Sequence, residues 1–117
     1  MRILVTGSRD WHERDVIYEA LSSVSVEKGD QVTVIHGGAR GADYHAQECA
    51  YKLGYAVERH DADWEKYGKQ AGYIRNQEMV NAGADICLAF IKNESKGATM
   101  CAKIADKAGI PVHIWRK

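Results

Sequence analysis

Short aliphatic runs and amphipathic stretches alternate along the whole 117-residue chain, and that alternation leaves few architectures open. Residues 2–6 (RILVT) form a β-branched and aliphatic run ended by Gly7. Residues 32–35 end at Gly37 and Gly38, and residues 55–58, 85–91 (DICLAFI) and 110–115 (IPVHIW) complete the strand-like set. Between them, Val16, Ile17, Ala20, Leu21 and Val24 recur near helical spacing up to Gly29. Residues 42–53, 72–82 and 98–108 read as further helices, closed by Gly54, Gly83 and Gly109. A glycine after a helix is the usual left-handed cap. Continuous apolar runs suit strands covered on both faces, as in parallel sheets. The order βαβαβαβαβ therefore predicts one α/β domain over residues 1–117. It is a Rossmann-like three-layer sandwich with about five parallel strands, in the order 3-2-1-4-5. The pattern alone leaves the order 2-1-3-4-5 open.

Composition narrows the function classes. Lys+Arg and Asp+Glu both number 16, so the formal charge is zero, which argues against non-specific nucleic-acid binding as the main role. A local cationic pocket remains compatible with that balance. Cys49, Cys87 and Cys101 are odd in number, far apart and set in apolar surroundings. They read as reduced core residues rather than as a disulfide or zinc framework. Met1 runs into strand-like sequence without a signal-peptide pattern, and no apolar run approaches a membrane span. A cytoplasmic protein without membrane contact is expected.

In this architecture ligands bind beyond the carboxyl ends of the strands, and the unusual residues fall there. After the first strand come Gly7, Ser8 and Arg9: a turn that lets a ligand approach, a hydroxyl, and a planar cation suited to phosphate. After the second comes HGGARGAD, residues 36–43. Its glycines Gly37, Gly38 and Gly41 would leave backbone N–H groups uncovered beside a helix start, an anion cradle, with His36 and Arg40 as added contacts. Asp43 either caps that helix or binds a ribose hydroxyl. Arg75 and Asn76 follow the long irregular stretch 60–71 and are placed at the next helix start, to hold a phosphate and a sugar or base. Gly97 and Thr99 open the last helix as a second anion site. Trp64 and Tyr67 either stack on a base or fold the long loop onto the core. His36, His45 and His60 lie near Asp43, Asp61 and Asp63, but without ligand spacing, so no metal is expected. GxSxG, Walker and HExxH motifs are missing, and so is the GxGxxG of NAD dehydrogenases, so no cofactor is assigned.

Taken as an ordered set, Gly7-Ser8-Arg9, HGGARGAD, Ala71-Gly72-Tyr73-Ile74-Arg75-Asn76 with Met79, Gly83-Ala84-Asp85 and Gly97-Ala98-Thr99 resemble the SLOG superfamily. This superfamily includes the LOG (lonely guy) cytokinin-activating enzymes and the Smf/DprA proteins; the match is closest to its YspA/YpsA-related branch. LOG enzymes are phosphoribohydrolases whose loop reads PGGxGTxxE. The resemblance implies that Arg75 stands for their catalytic arginine. Their glutamate position is Ala102 here, and a methyl group moves no proton. Glu48 and Glu78 are possible substitutes, read more simply as exposed helical residues.

The leading expectation is a module that binds or senses a nucleotide or nucleotide derivative resembling ADP-ribose or NAD. A LOG-like phosphoribohydrolase and a Smf/DprA-like DNA-handling protein are the alternatives. A homodimer is expected, with Tyr44, Tyr51 or Trp115 at the contact.

Overall fold

A computed structural model describes residues 1–24 and 31–117, so the Gly29 stop assigned to the first helix lies outside the described residues. The strands are β1 (Arg2–Gly7), β2 (Thr33–His36), β3 (Ala56–Arg59), β4 (Ile86–Ile91) and β5 (Val112–Arg116). All neighbouring pairs are parallel, and the sheet order is β3-β2-β1-β4-β5. This is the expected order, and the 2-1-3-4-5 alternative is excluded.

The helices are α1 (Arg14–Ser22), α2 (Ala42–Lys52), α3 (Trp64–Tyr67), α4 (Ala71–Ala82) and α5 (Lys96–Lys107). Alternation along β1 sorts them into layers. Ile3 and Val5 face one core with Ile17 and Leu21 of α1 and Ala46 and Cys49 of α2. Leu4 faces the opposite core with Met79 and Val80 of α4 and Cys101 and Ala105 of α5. Ala98, Cys101, Ala102 and Ala105 are small and buried, so α5 lies close against the sheet. The chain leaves β1 in one direction for β2 and β3, then returns to its other side for β4 and β5. The reversal sits between β1 and β4, where such sheets open a crevice.

Two side-chain devices fix the sheet further. Trp11 packs edge-on against Phe90 at 5.5 Å, and Phe90 stacks on Trp115 at 4.8 Å. Trp11 is fully buried, so it anchors the loop after β1 into the core. Arg2 donates from its two terminal nitrogens to Glu58 at 3.1 and 2.9 Å, spanning β2 to reach β3. The Arg2 guanidinium and the His60 ring together hold the Glu58 carboxyl down to about 2. All three cysteines are free and buried. Burial pushes the Cys87 thiol up to about 12 and Cys101 to about 11.

The long stretch 60–71 is not irregular throughout. Asp63 accepts a hydrogen bond from the Lys66 amide at 3.1 Å, and that cap starts α3. A 3-10 turn, Gly68–Gln70, then leads directly into α4. No helix among the described residues is long and apolar enough to cross a membrane.

Candidate functional site

The turn after β1 is stitched to the turn after β4. The Ser8 hydroxyl accepts from the Lys92 amide at 2.7 Å and donates to the Lys92 carbonyl at 3.1 Å. The Ser8 carbonyl also accepts from the Trp11 and Ala42 amides. These two turns lie at the crevice between β1 and β4, and a cavity of about 950 Å³ opens there. Gly7, Arg9, Arg40, Gly41, Asp43, Arg75, Asn76 and Gly97 all line it, so four separate segments of the sequence do converge. A smaller space of about 330 Å³ adjoins it, bounded by Gly37, Gly38 and Asp61 and sharing Arg9, Arg40, Trp64 and Arg75 with it.

At two glycines an added Cβ would run into backbone. A Cβ on Gly7 would strike the Cβ of Ala42 and lie 2.7 Å from the Phe90 carbonyl oxygen. Gly41 has φ +73°, and a Cβ there would strike the backbone carbonyls of Ser8 and Arg9. The N-terminus of α2 is thereby brought against the loop after β1.

The HGGARGAD segment is built differently from the expected anion cradle. Its amides turn inward. Gly37 and Ala39 donate to Asp43 Oδ2 at 3.0 and 3.3 Å, and Gly38 donates to His36 Nδ1 at 2.9 Å. His36 Nε2 pairs with Gln47 Oε1 at 2.9 Å; with Nδ1 accepting, Nε2 carries the proton. Burial keeps the His36 ring below its usual pKa, hence neutral. A buried carboxylate needs donors more than an exposed ligand does, so it takes the amides nearest to it. Asp43 is thus a cap on the preceding loop rather than on its own helix. His36, Gly37 and Gly38 shape the site from behind, and His36 and Ser8 do not line the main cavity.

Three further placements differ from the sequence reading. Arg75 and Asn76 sit in the second turn of α4, not at its start. Arg75 reaches back to donate to the Gly37 carbonyl, and its Nε donates to Asn76 Oδ1 at 2.9 Å. Thr99 lies outside the cavity and lines a separate surface groove with Lys96, Lys103 and Arg116. Residues two apart on a helix point about 200° apart around its axis, so Gly97 and Thr99 do not serve one site. Nothing lies within 4 Å of a Cβ built on Gly97, so close approach does not explain that glycine.

The cavity also has an aromatic rim. Tyr44, Trp64 and Tyr73 line it, each 52% exposed. Trp64 lies over Gly72, where a Cβ would come within 3.5 Å of its ring. Of the two loop aromatics, Trp64 reaches the cavity and Tyr67 does not. Tyr44 and Tyr73 follow from helical spacing once α2 and α4 are known to border the crevice. Lys69 and Lys92 add to the cations of Arg9, Arg40 and Arg75, against Asp10 and Asp43. Glu48 pairs with Arg14 at 3.1 Å and Glu78 is exposed; among the described residues neither lines the cavity.

Burial raises the Asp43 carboxyl to about 6, against the opposing pull of the Gly37 and Ala39 amides and of Arg75 and Arg9. An exposed aspartate titrates near ~3.9, so the native state holds this proton more tightly than the unfolded chain. The contribution of Asp43 to stability therefore falls as pH rises from about 4 to 6. On acidification from pH 7 to 5, wild type is expected to gain roughly 1 kcal/mol relative to Asp43→Asn. Urea unfolding of both at the two pH values measures it, and equal pH responses would contradict it.

An open parallel sheet in this order, with a cationic, ring-edged crevice at its switch point, defines a Rossmann-like α/β domain. The chain belongs to the YspA, cpYpsA-related SLOG family, whose model matches residues 1–67. A relative, the "Gene 61 protein" of Mycobacterium phage D29, is 48% identical over 116 residues, covering 95% of this chain and 93% of the phage protein. No solved structure matches the chain significantly.

Proposed function

We propose that the cavity binds a phosphate-bearing nucleotide or nucleotide derivative of the ADP-ribose or NAD kind. One observation carries this reading. In a chain of zero formal charge, a single cavity gathers Arg9, Arg40, Lys69, Arg75 and Lys92 beside the rings of Tyr44, Trp64 and Tyr73. Guanidinium groups suit phosphate, and exposed rings suit a base. The free amides of the first turn of α2 add to the attraction: Asp43 and Tyr44 have no backbone acceptor among the described residues. Family membership points the same way, toward nucleotide-related ligands.

Binding is favoured over hydrolysis because Ala102 is buried in α5 and offers no acid or base. Isothermal titration with AMP, ADP, ADP-ribose and NAD is expected to show saturable binding of at least one below millimolar concentration. Trp64 fluorescence should change with the same midpoint, because the ring lines the cavity. Flat titrations across all four compounds would end this reading.

A further inference from the structure

We propose that Asp43 Oδ1 accepts a hydrogen bond from a sugar hydroxyl of the ligand, which makes Asp43 the residue that selects ribosyl over deoxyribosyl phosphates. The inference rests on the nucleotide reading above and deepens it. Asp43 is 5% exposed and lines the main cavity. Its two oxygens are used unequally. Oδ2 takes the Gly37 and Ala39 amides, whereas Oδ1 is buried with no hydrogen-bond partner among the described residues. A carboxylate has acceptor capacity beyond two bonds, and a buried acceptor without a donor is unfavourable.

The chemistry of the missing donor is constrained from several sides. It is not a phosphate, which a carboxylate repels. It is not an ammonium group, because the nearby charges of Arg75 and Arg9 disfavour a third cation beside Asp43. Across from it, Cys101 of α5 is a buried thiol kept neutral by its raised pKa. Thr6 and Asn76, both buried and both lining the cavity, make the surrounding floor polar rather than greasy. A small neutral O–H group fits, attached to a molecule whose phosphate the arginines hold in the same cavity. The ribose of a nucleotide combines the two. A site built around a hydroxyl penalises the analogue that lacks it, because the protein acceptor is then left unpaired.

The test compares AMP with 2′-deoxy-AMP and 3′-deoxy-AMP on wild type and on Asp43→Asn, by isothermal titration. In the variant the side-chain carbonyl can still accept the Gly37 and Ala39 amides, while an NH2 donor replaces Oδ1. Removing one of the two hydroxyls is expected to weaken wild-type binding at least ~10-fold. In Asp43→Asn the same comparison should fall below about 3-fold, with AMP itself weakened. If both deoxy forms bind wild type as AMP does, the proposal is overturned and the nucleotide site stands. If AMP does not bind wild type, this proposal is overturned, and the nucleotide reading falls with it only where ADP, ADP-ribose and NAD fail as well. Should the variant not fold, the wild-type Asp43 carboxyl carbon decides by NMR. AMP should lower its titration midpoint and the discriminated deoxy form should not; equal effects of all three would overturn the proposal.

Discussion

Gly41→Ala is expected to destabilise the protein by about 3–5 kcal/mol. Two costs combine. At φ +73° and ψ −122° the backbone occupies a region that L residues enter only under strain of about 1–3 kcal/mol. The new Cβ also meets the carbonyls of Ser8 and Arg9, which are backbone and have little room to retreat. Ser8 is held by its own bonds to Lys92, and Trp11 pins the far end of the same loop into the core. Gly54→Ala is the control for positive φ alone: φ is +76°, but nothing lies within 4 Å of its Cβ, so only the ~1–2 kcal/mol conformational cost applies. Urea unfolding of both variants separates the terms. Equal losses at the two positions would show that the Ser8–Arg9 contact contributes nothing.

Arg75→Ala is expected to weaken nucleotide binding about 100-fold while costing only about 1 kcal/mol of stability. Arg75 borders both the main cavity and the smaller one, so a phosphate placed between them would meet its guanidinium from either side. Nε and one terminal nitrogen are committed to Asn76 and Gly37, which fixes the plane of the group. Its remaining N–H donors are left for a ligand, already oriented. Arg75→Lys keeps the charge but not the planar fork, and an intermediate loss of about 10-fold is expected. Titration with the tightest-binding nucleotide, alongside thermal unfolding, distinguishes a lost contact from a lost fold. Undiminished affinity in Arg75→Ala would place the phosphate elsewhere.

These two residues also mark how far the sequence could be read. The strand order, the two-faced core and the convergence of Gly7, Arg40, Arg75 and Gly97 followed from periodicity and from the rule that parallel sheets open at their carboxyl ends. What periodicity could not supply was the direction of individual groups. The glycines of HGGARGAD suggested free amides, yet three consecutive amides, Gly37 to Ala39, serve His36 and Asp43. Only the fold reveals that Asp43, six residues after Gly37, turns back under the loop. A helix starting at residue 98 would put Gly97 and Thr99 together at its mouth; α5 begins at Lys96 and carries them on different sides. Tyr44, one of three aromatics expected at a dimer contact, borders the cavity, since its helix starts at the crevice. Trp115 is occupied by Phe90, which leaves Tyr51 as the most exposed of the three proposed contact aromatics.

The three buried thiols turn the molecule into its own unfolding gauge. Cys49 lies in the layer beneath α1 and α2, whereas Cys87 and Cys101 lie on the opposite side of the sheet. Alkylation needs the thiolate, which Cys87 and Cys101 scarcely form while they are covered. A slow alkylating reagent therefore reads out opening events layer by layer, without any introduced label. Two layers that loosen together would modify all three sulfurs at one rate, and layers that loosen separately would not.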